Sequence, residues 1–177
     1  MRSLLTSLRG RGWRWVFLLF PIFNILSCDT YNCLLETKVQ CVYGFYASGR
    51  QSGGEFEPGS SMAIGDTLTI TALGVNAVFV NRLINQNGVK LPVSYYGEVD
   101  SLEFKFKGDD GEGRDTVYIA KQNIAHLDDV SCPAHMWHHI THVFSTHHLI
   151  DSVLISEPEI NYEGNENLQI YFRTAQE

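Results

Sequence analysis

Beyond Cys28 the chain has no stretch that sustains an apolar helical stripe over ten residues, and no apolar run of the about 20 residues a spanning helix requires. A helical bundle and a helical membrane domain are thereby excluded. It lacks the Gly-x-Ser-x-Gly elbow of a nucleophilic hydrolase, because Gly59-Ser60-Ser61 has no second glycine. It lacks EF-hand spacing around Asp109-Asp110-Gly111-Glu112, where acids beside glycine are ordinary hairpin-loop composition. No internal repeat is present and no cofactor is expected. Basic residues are scarce, with 13 Lys and Arg against 20 Asp and Glu. Cysteines number only four.

What is present begins with an address. Arg2, Arg9, Arg11 and Arg14 precede an apolar core from Trp15 to Leu26, interrupted by Pro21 and Asn24, and then Ser27 and Cys28. A basic n-region, an apolar core of roughly a dozen residues and a small residue before a cysteine form the layout of a bacterial lipoprotein signal. Residues 1–27 read as the leader, 28–35 as a lipidated tether and 36–177 as a single domain. Peptidase access needs the small Ser27, and diacylglycerol transfer needs the free sulfur of Cys28. Two or three acyl chains, palmitate among them, hold a protein on a membrane stably where one chain holds it marginally. Asp29 marks inner-membrane retention in enterobacteria, and Thr30-Tyr31-Asn32 lacks the acidic run of surface export, so an outer-membrane lipoprotein facing the periplasm is expected.

Removal of the leader leaves 150 residues, enough for one core that buries roughly 70% of its unfolded surface. Nine basic residues then face 20 acidic ones, a net of minus 11. Nucleic acid and anionic headgroups, which need a basic face, are excluded as partners. Three cysteines remain beside Cys28, and an envelope location permits one disulfide among Cys33, Cys41 and Cys132. The residues alone leave all three pairings open.

From Glu36 the segments are short, β-branched or aromatic, and punctuated by Gly, Asn, Asp and Pro, an all-β rhythm. Alternation over Lys38–Ala47 places Val39, Cys41, Tyr43 and Phe45 on one face, and Leu68 and Ile70 point inward between threonines. Asn76–Ile84 and Val89–Tyr96 flank Asn87-Gly88 and read as a hairpin. Ser101–Lys107 and Asp115–Lys121 flank a Gly-rich hairpin loop, and Ser48–Ser61 reads as a long loop. Trp137–Ser145, Leu149–Glu157 and Asn167–Arg173 bring the count to eight or nine strands. Two packed sheets in an Ig-like antiparallel β-sandwich are the expected fold, with a small β-barrel as the alternative.

All seven histidines lie between His126 and His148. On a helix His135, His138, His139 and His142 would share a face and grip a zinc ion. On a strand His138 and His142 share a face with α-carbons about 13 Å apart, too far for one metal. Ile140-Thr141-His142-Val143-Phe144 favours strand, so metal binding is the alternative to hydrogen-bonded structural histidines. His147, His148, Asp151 and Ser152 include the residue types of a triad, yet neighbours along a strand point to alternating faces. Tyr43, Phe45, Tyr95, Tyr96, Phe104 and Phe106 could stack on a sugar only as one open row.

Cys28-Asp29 with Cys33, Tyr43-Gly44-Phe45-Tyr46, Asp66-Thr67-Leu68-Thr69-Ile70, Asn81-Arg82-Leu83, Thr146–Ser152, Glu157–Tyr162 and Asn167–Phe172 resemble an uncharacterised lipoprotein family of Bacteroidota over nearly the whole mature chain. The resemblance implies a lipid-anchored β-sandwich of unknown function and a Cys33–Cys132 disulfide, with Cys41 an addition. It supplies no catalytic residue. A non-enzymatic envelope module, held on the membrane through its lipid and meeting an unknown envelope protein or glycan, is the resulting expectation. The alternative is a periplasmic metal-binding protein using the His-rich segment 126–148.

Overall fold

The computed structural model describes residues 39–50, 54–109 and 111–173. The leader, Cys28, Cys33 and the tether lie outside the described residues. Those residues form eleven strands and no helix: β1 (Gln40–Ser48), β2 (Pro58–Ser61), β3 (Thr67–Ala72), β4 (Ala77–Leu83), β5 (Gly88–Pro92), β6 (Val99–Gly108), β7 (Gly111–His126), β8 (His135–Ser145), β9 (Ile150–Ile155), β10 (Glu159–Ile160) and β11 (Leu168–Phe172). One sheet runs β2-β1-β11-β9, with β5 also paired to β1, and the other runs β10-β8-β7-β6-β3-β4. This is an all-β, two-sheet architecture consistent with a β-sandwich, one sheet being curled into a half-barrel.

The alternation in β1 and β3 produces the core as expected. Val39, Cys41, Tyr43 and Phe45 are buried from one sheet, and Leu68, Ile70, Leu102, Phe104, Val117 and Ile119 from the other. Each such side chain, fully withdrawn from water, contributes about 1.5–3 kcal/mol. Phe45 meets Phe172 edge to face at 5.7 Å, and Phe172 meets Phe106 in the same way at 5.3 Å, so rings from both sheets interlock. On β3 and β6 the outward positions carry Thr67, Thr69, Thr71, Glu103, Lys105 and Lys107.

Three sequence expectations are corrected. Asn87-Gly88 closes no hairpin, because β4 pairs with β3 while β5 crosses to the other sheet and pairs with β1. Gly88 serves close approach instead: a Cβ there would meet the Tyr43 carbonyl oxygen at 2.5 Å. Ser48–Ser61 is not one long loop, since β2 folds back onto β1 across Tyr46↔Ser61 and Ser48↔Pro58. The sheets are not wholly antiparallel, because β11 lies parallel to β1 from Tyr43↔Leu168 to Ala47↔Phe172. The β6–β7 hairpin is present, with its ladder carried out to Gly108↔Gly111.

Candidate functional site

One end of the structure gathers the start of β1 and the β3–β4, β5–β6, β7–β8 and β10–β11 connections. Between the sheets at this end lies a cavity of about 420 Å³. Its walls are Tyr43, Phe79, Val93 and Leu102, with Ser94 and Asp100 as polar lining. Position dictates this mixture: inward residues of β1 and β6 supply the apolar wall, and the β5–β6 connection turns across the opening.

That connection is stapled from behind by Lys121, an inward residue of β7 in phase with Val117 and Ile119. The Lys121 side chain is 0% exposed. Its Nζ donates to the carbonyls of Ser94 (2.7 Å) and Gly97 and to Asn123 Oδ1 (2.8 Å), and it stands 3.8 Å from Asp100 Oδ2. Asp100 in turn accepts from the Ser94 N–H at 3.2 Å. Burial weighs against charge on both members, pulling Lys121 down from its ordinary value and pushing Asp100 up, while each partner opposes the shift of the other. Such a pair holds only because every donor finds an acceptor.

Asn123 extends the network to His138. Its Nδ2 donates to the Gly97 carbonyl (3.1 Å), so its Oδ1 is the acceptor shared by Lys121 and His138 Nδ1 (2.7 Å). The proton of neutral His138 therefore sits on Nδ1, and Nε2 is left as a buried acceptor with no hydrogen-bond partner. Burial first, and then the Lys121 charge, lower the His138 pKa to about 4. Tyr95 stacks on the imidazole with ring centres 6.2 Å apart.

The remaining histidines do not assemble around this ring. All four residues of the metal alternative lie on or at the start of strand β8, so the helical face that would have gathered His135, His138, His139 and His142 is not formed. A bulge opposite Ala120 and Lys121 skips Thr141 and shifts the alternation, so His138 is buried while His142 is exposed beside Phe144. The expectation that His138 and His142 share a face is thereby corrected. His139 pairs with Glu159, and His126 stacks on Trp137 at 3.6 Å and reaches Asp128 at 3.0 Å. Among the described residues no three metal-ligating side chains converge on one point.

The segment with triad residue types is a turn organised by a carboxylate that sequence reasoning missed. Asp115, 1% exposed, accepts from Thr146 Oγ1 (2.6 Å) and from the N–H groups of His148 (2.8 Å), Leu149 (2.6 Å) and Ile150 (2.8 Å). Burial pushes its pKa up, but these four donors outweigh burial and hold it below the ordinary carboxylate range. The turn takes His147 to a φ of 59°. Asp151 is engaged elsewhere, accepting from Ser48 Oγ (2.7 Å) and Arg50 Nε (3.0 Å). The signal in the sequence was parity, since Asp115 and Lys121 end the inward row of β7.

The other singled-out residues fall out simply. Tyr43, Phe45, Phe104 and Phe106 are core, leaving Tyr95 and Tyr96 exposed and no open aromatic row among the six. Glu112 bonds Lys105 and Lys107 across the β6–β7 hairpin. Cys41 is a buried free thiol, raised to about 12 chiefly by burial. Cys132 sits on the β7–β8 connection, its N–H bonded to the Asp129 carbonyl at 3.0 Å.

Comparison with known proteins gives one family. No curated protein and no solved structure matches the chain. A family model described as a family of unknown function (DUF6452) matches residues 67–172, from the first residue of β3 to the last of β11. The match spans more than half of the 177 residues and contains Asp100, Asp115, Lys121, Asn123 and His138. The chain belongs to the DUF6452 family of unknown function.

Proposed function

We propose that the protein is a lipid-anchored, non-enzymatic module of a bacterial cell envelope, tethered through Cys28 at an outer membrane and facing the periplasm, that binds a partner at the open end of its fold. The observation that carries the binding reading is the cavity at that end, apolar in its walls and lined on one side by Asp100 and Ser94. Sites that recognise ligands are concave, mostly apolar and furnished with a few placed polar groups. The buried charged residues are committed to architecture: Asp115 to a turn, Asp151 to Ser48 and Arg50, and Lys121 to a loop.

The anchor reading is supported by the leader layout and by Cys28 itself. The Cys33–Cys132 disulfide belongs to the same proposal and is supported by the burial of Cys41 as a free thiol, which withdraws it from pairing. Labelling growing cells with an alkyne-bearing fatty acid tests the anchor: the wild-type protein carries label and Cys28→Ser carries none. A photo-crosslinking residue in place of Phe79 tests the site, with capture of an envelope component expected there and not at Lys107. Equal capture at both positions would remove the cavity as the binding surface.

A further inference from the structure

Among the described residues, the three most exposed large apolar side chains lie at one end of the fold. Tyr96 is 94% exposed, Val130 93% and Val75 72%, on three separate connections, and all three connections are at the end where β1 begins. Tyr95, Val99 and Leu127 continue the rim at about half exposure. The other end shows Ile84 and Leu149 among the charged residues Lys105, Lys107, Asp109 and Glu112. Single exposed apolar side chains need no explanation, but a rim of them on three adjacent loops marks a surface that meets something apolar.

We infer that this rim is the membrane-facing surface of the anchored protein, that Tyr96, Val130 and Val75 enter the headgroup region of the bilayer, and that the cavity, which Val75 and Val99 also line, meets its partner at that membrane surface. The inference rests on the lipid-anchor reading. Its structural support is where the chain enters: Val39 is buried and Gln40 pairs with Pro92, the last residue of β5, immediately before the loop that bears Tyr95 and Tyr96. Eleven residue steps separate Cys28 from Val39, so at roughly 3.3–3.6 Å per residue the lipid is held within about 40 Å of this end. A Cys33–Cys132 bond would shorten that tether further, because Cys132 is two residues from Val130 on the same connection.

The chemistry fits a neutral lipid surface. Glu98, Asp128 and Asp129 lie at the same rim, and the mature chain is strongly acidic, so attraction to anionic headgroups cannot drive contact. Tyrosine does suit the interface, with an apolar ring and a polar tip. The stapling of the 93–98 connection by Lys121 and Asn123 holds Tyr96 in place, so little ordering is needed on insertion.

The test uses the mature, acylated, full-length protein in phosphatidylcholine vesicles with and without brominated acyl chains. Trp137 is the sole tryptophan beyond the leader, so Tyr96→Trp in a Trp137→Phe background gives one reporter, and Lys107→Trp in that background gives the opposite end. Loss of most of the emission from position 96 with none from position 107 is expected. Equal quenching at both, or none at 96, overturns the inference. Amide hydrogen exchange on the unsubstituted protein guards against misfolded variants: exchange at 94–98 and 127–131 slows in vesicles relative to soluble Cys28→Ser, and unchanged exchange overturns the inference independently. Intact mass separates the two readings. An acyl adduct with an unquenched position 96 leaves the anchor standing and removes the docking surface, whereas absence of the adduct removes both. Crosslinks from position 96 to a protein in native membranes, without quenching, would assign the rim to a protein partner instead.

Discussion

Asn167 and Val42 hold one another twice: Asn167 N–H donates to the Val42 carbonyl at 2.9 Å, and Val42 N–H donates to Asn167 Oδ1 at 2.9 Å. The Asn167 amide also donates to the carbonyls of Glu157 (3.0 Å) and Glu159 (2.9 Å), so one buried side chain ties β1 to the β9–β10 connection. Replacing it with alanine strands three backbone groups, and Asn167→Ala should cost about 3 kcal/mol in urea unfolding. Asn167→Asp, which sets a carboxylate against two carbonyls, should cost at least as much. A loss below about 1 kcal/mol for both would show that water replaces the side chain.

Asp115 makes a second prediction with a defined pH window. Asp115→Ala leaves the N–H groups of three successive turn residues without their acceptor and should lower stability by about 3 kcal/mol. Its folded pKa is depressed below the ordinary 3.8, so the stabilisation is present above that value and is lost as pH falls through the folded pKa. The gap in thermal stability between wild type and variant from pH 2 to pH 7 should therefore be constant above about pH 3.8 and narrow only below it. A constant gap across that range would contradict the assignment.

His138 acts in a higher window. Its folded value of about 4 against 6.5 when unfolded means the unfolded chain binds the proton first. Stability from this residue is full above pH 6.5 and declines by about 3 kcal/mol toward pH 4. His138→Gln should flatten that part of the profile. NMR of the imidazole should show no protonation at pH 5.5, and a midpoint near 6.5 would mean the ring is not buried as described.

Cys41 gives the simplest measurement. A buried thiol raised to about 12 offers almost no thiolate, so it should resist iodoacetamide at pH 8 in the native protein. On the proposed anchor at Cys28 and the proposed disulfide, denaturation without reductant exposes one cysteine to alkylation, and reduction exposes three. Three alkylated cysteines before reduction would remove the Cys33–Cys132 bond.

Strand identity was legible because alternation is local: the inward rows of β1 and β3 follow from residue type alone. Which strand pairs with which was not. Asn87-Gly88 carries the chemistry of a tight hairpin, yet Gly88 is there because β5 passes close to the Tyr43 carbonyl, a demand made by a distant strand. The bulge at Thr141 left no mark in composition, although it decides that His138 and His142 part company. The buried charges of β7 were half visible. Asp115 and Lys121 break an inward apolar row, and a charge at such a position implies a partner, but Ser94, Gly97 and Asn123 meet Lys121 only through folding.

The parallel seam between β1 and β11 ties the first described strand to the last, across more than a hundred residues of chain. Nothing can zip Tyr43 to Leu168 until the segment bearing β11 has been made, so the first sheet stays incomplete until then. A chain cut short before Leu168 would leave Phe45 without its Phe172 neighbour and both long edges of β1 and β9 without β11. The six-stranded sheet draws only on strands that precede Leu168, so the two layers are completed at different moments, and the layer holding both β1 and β11 closes last.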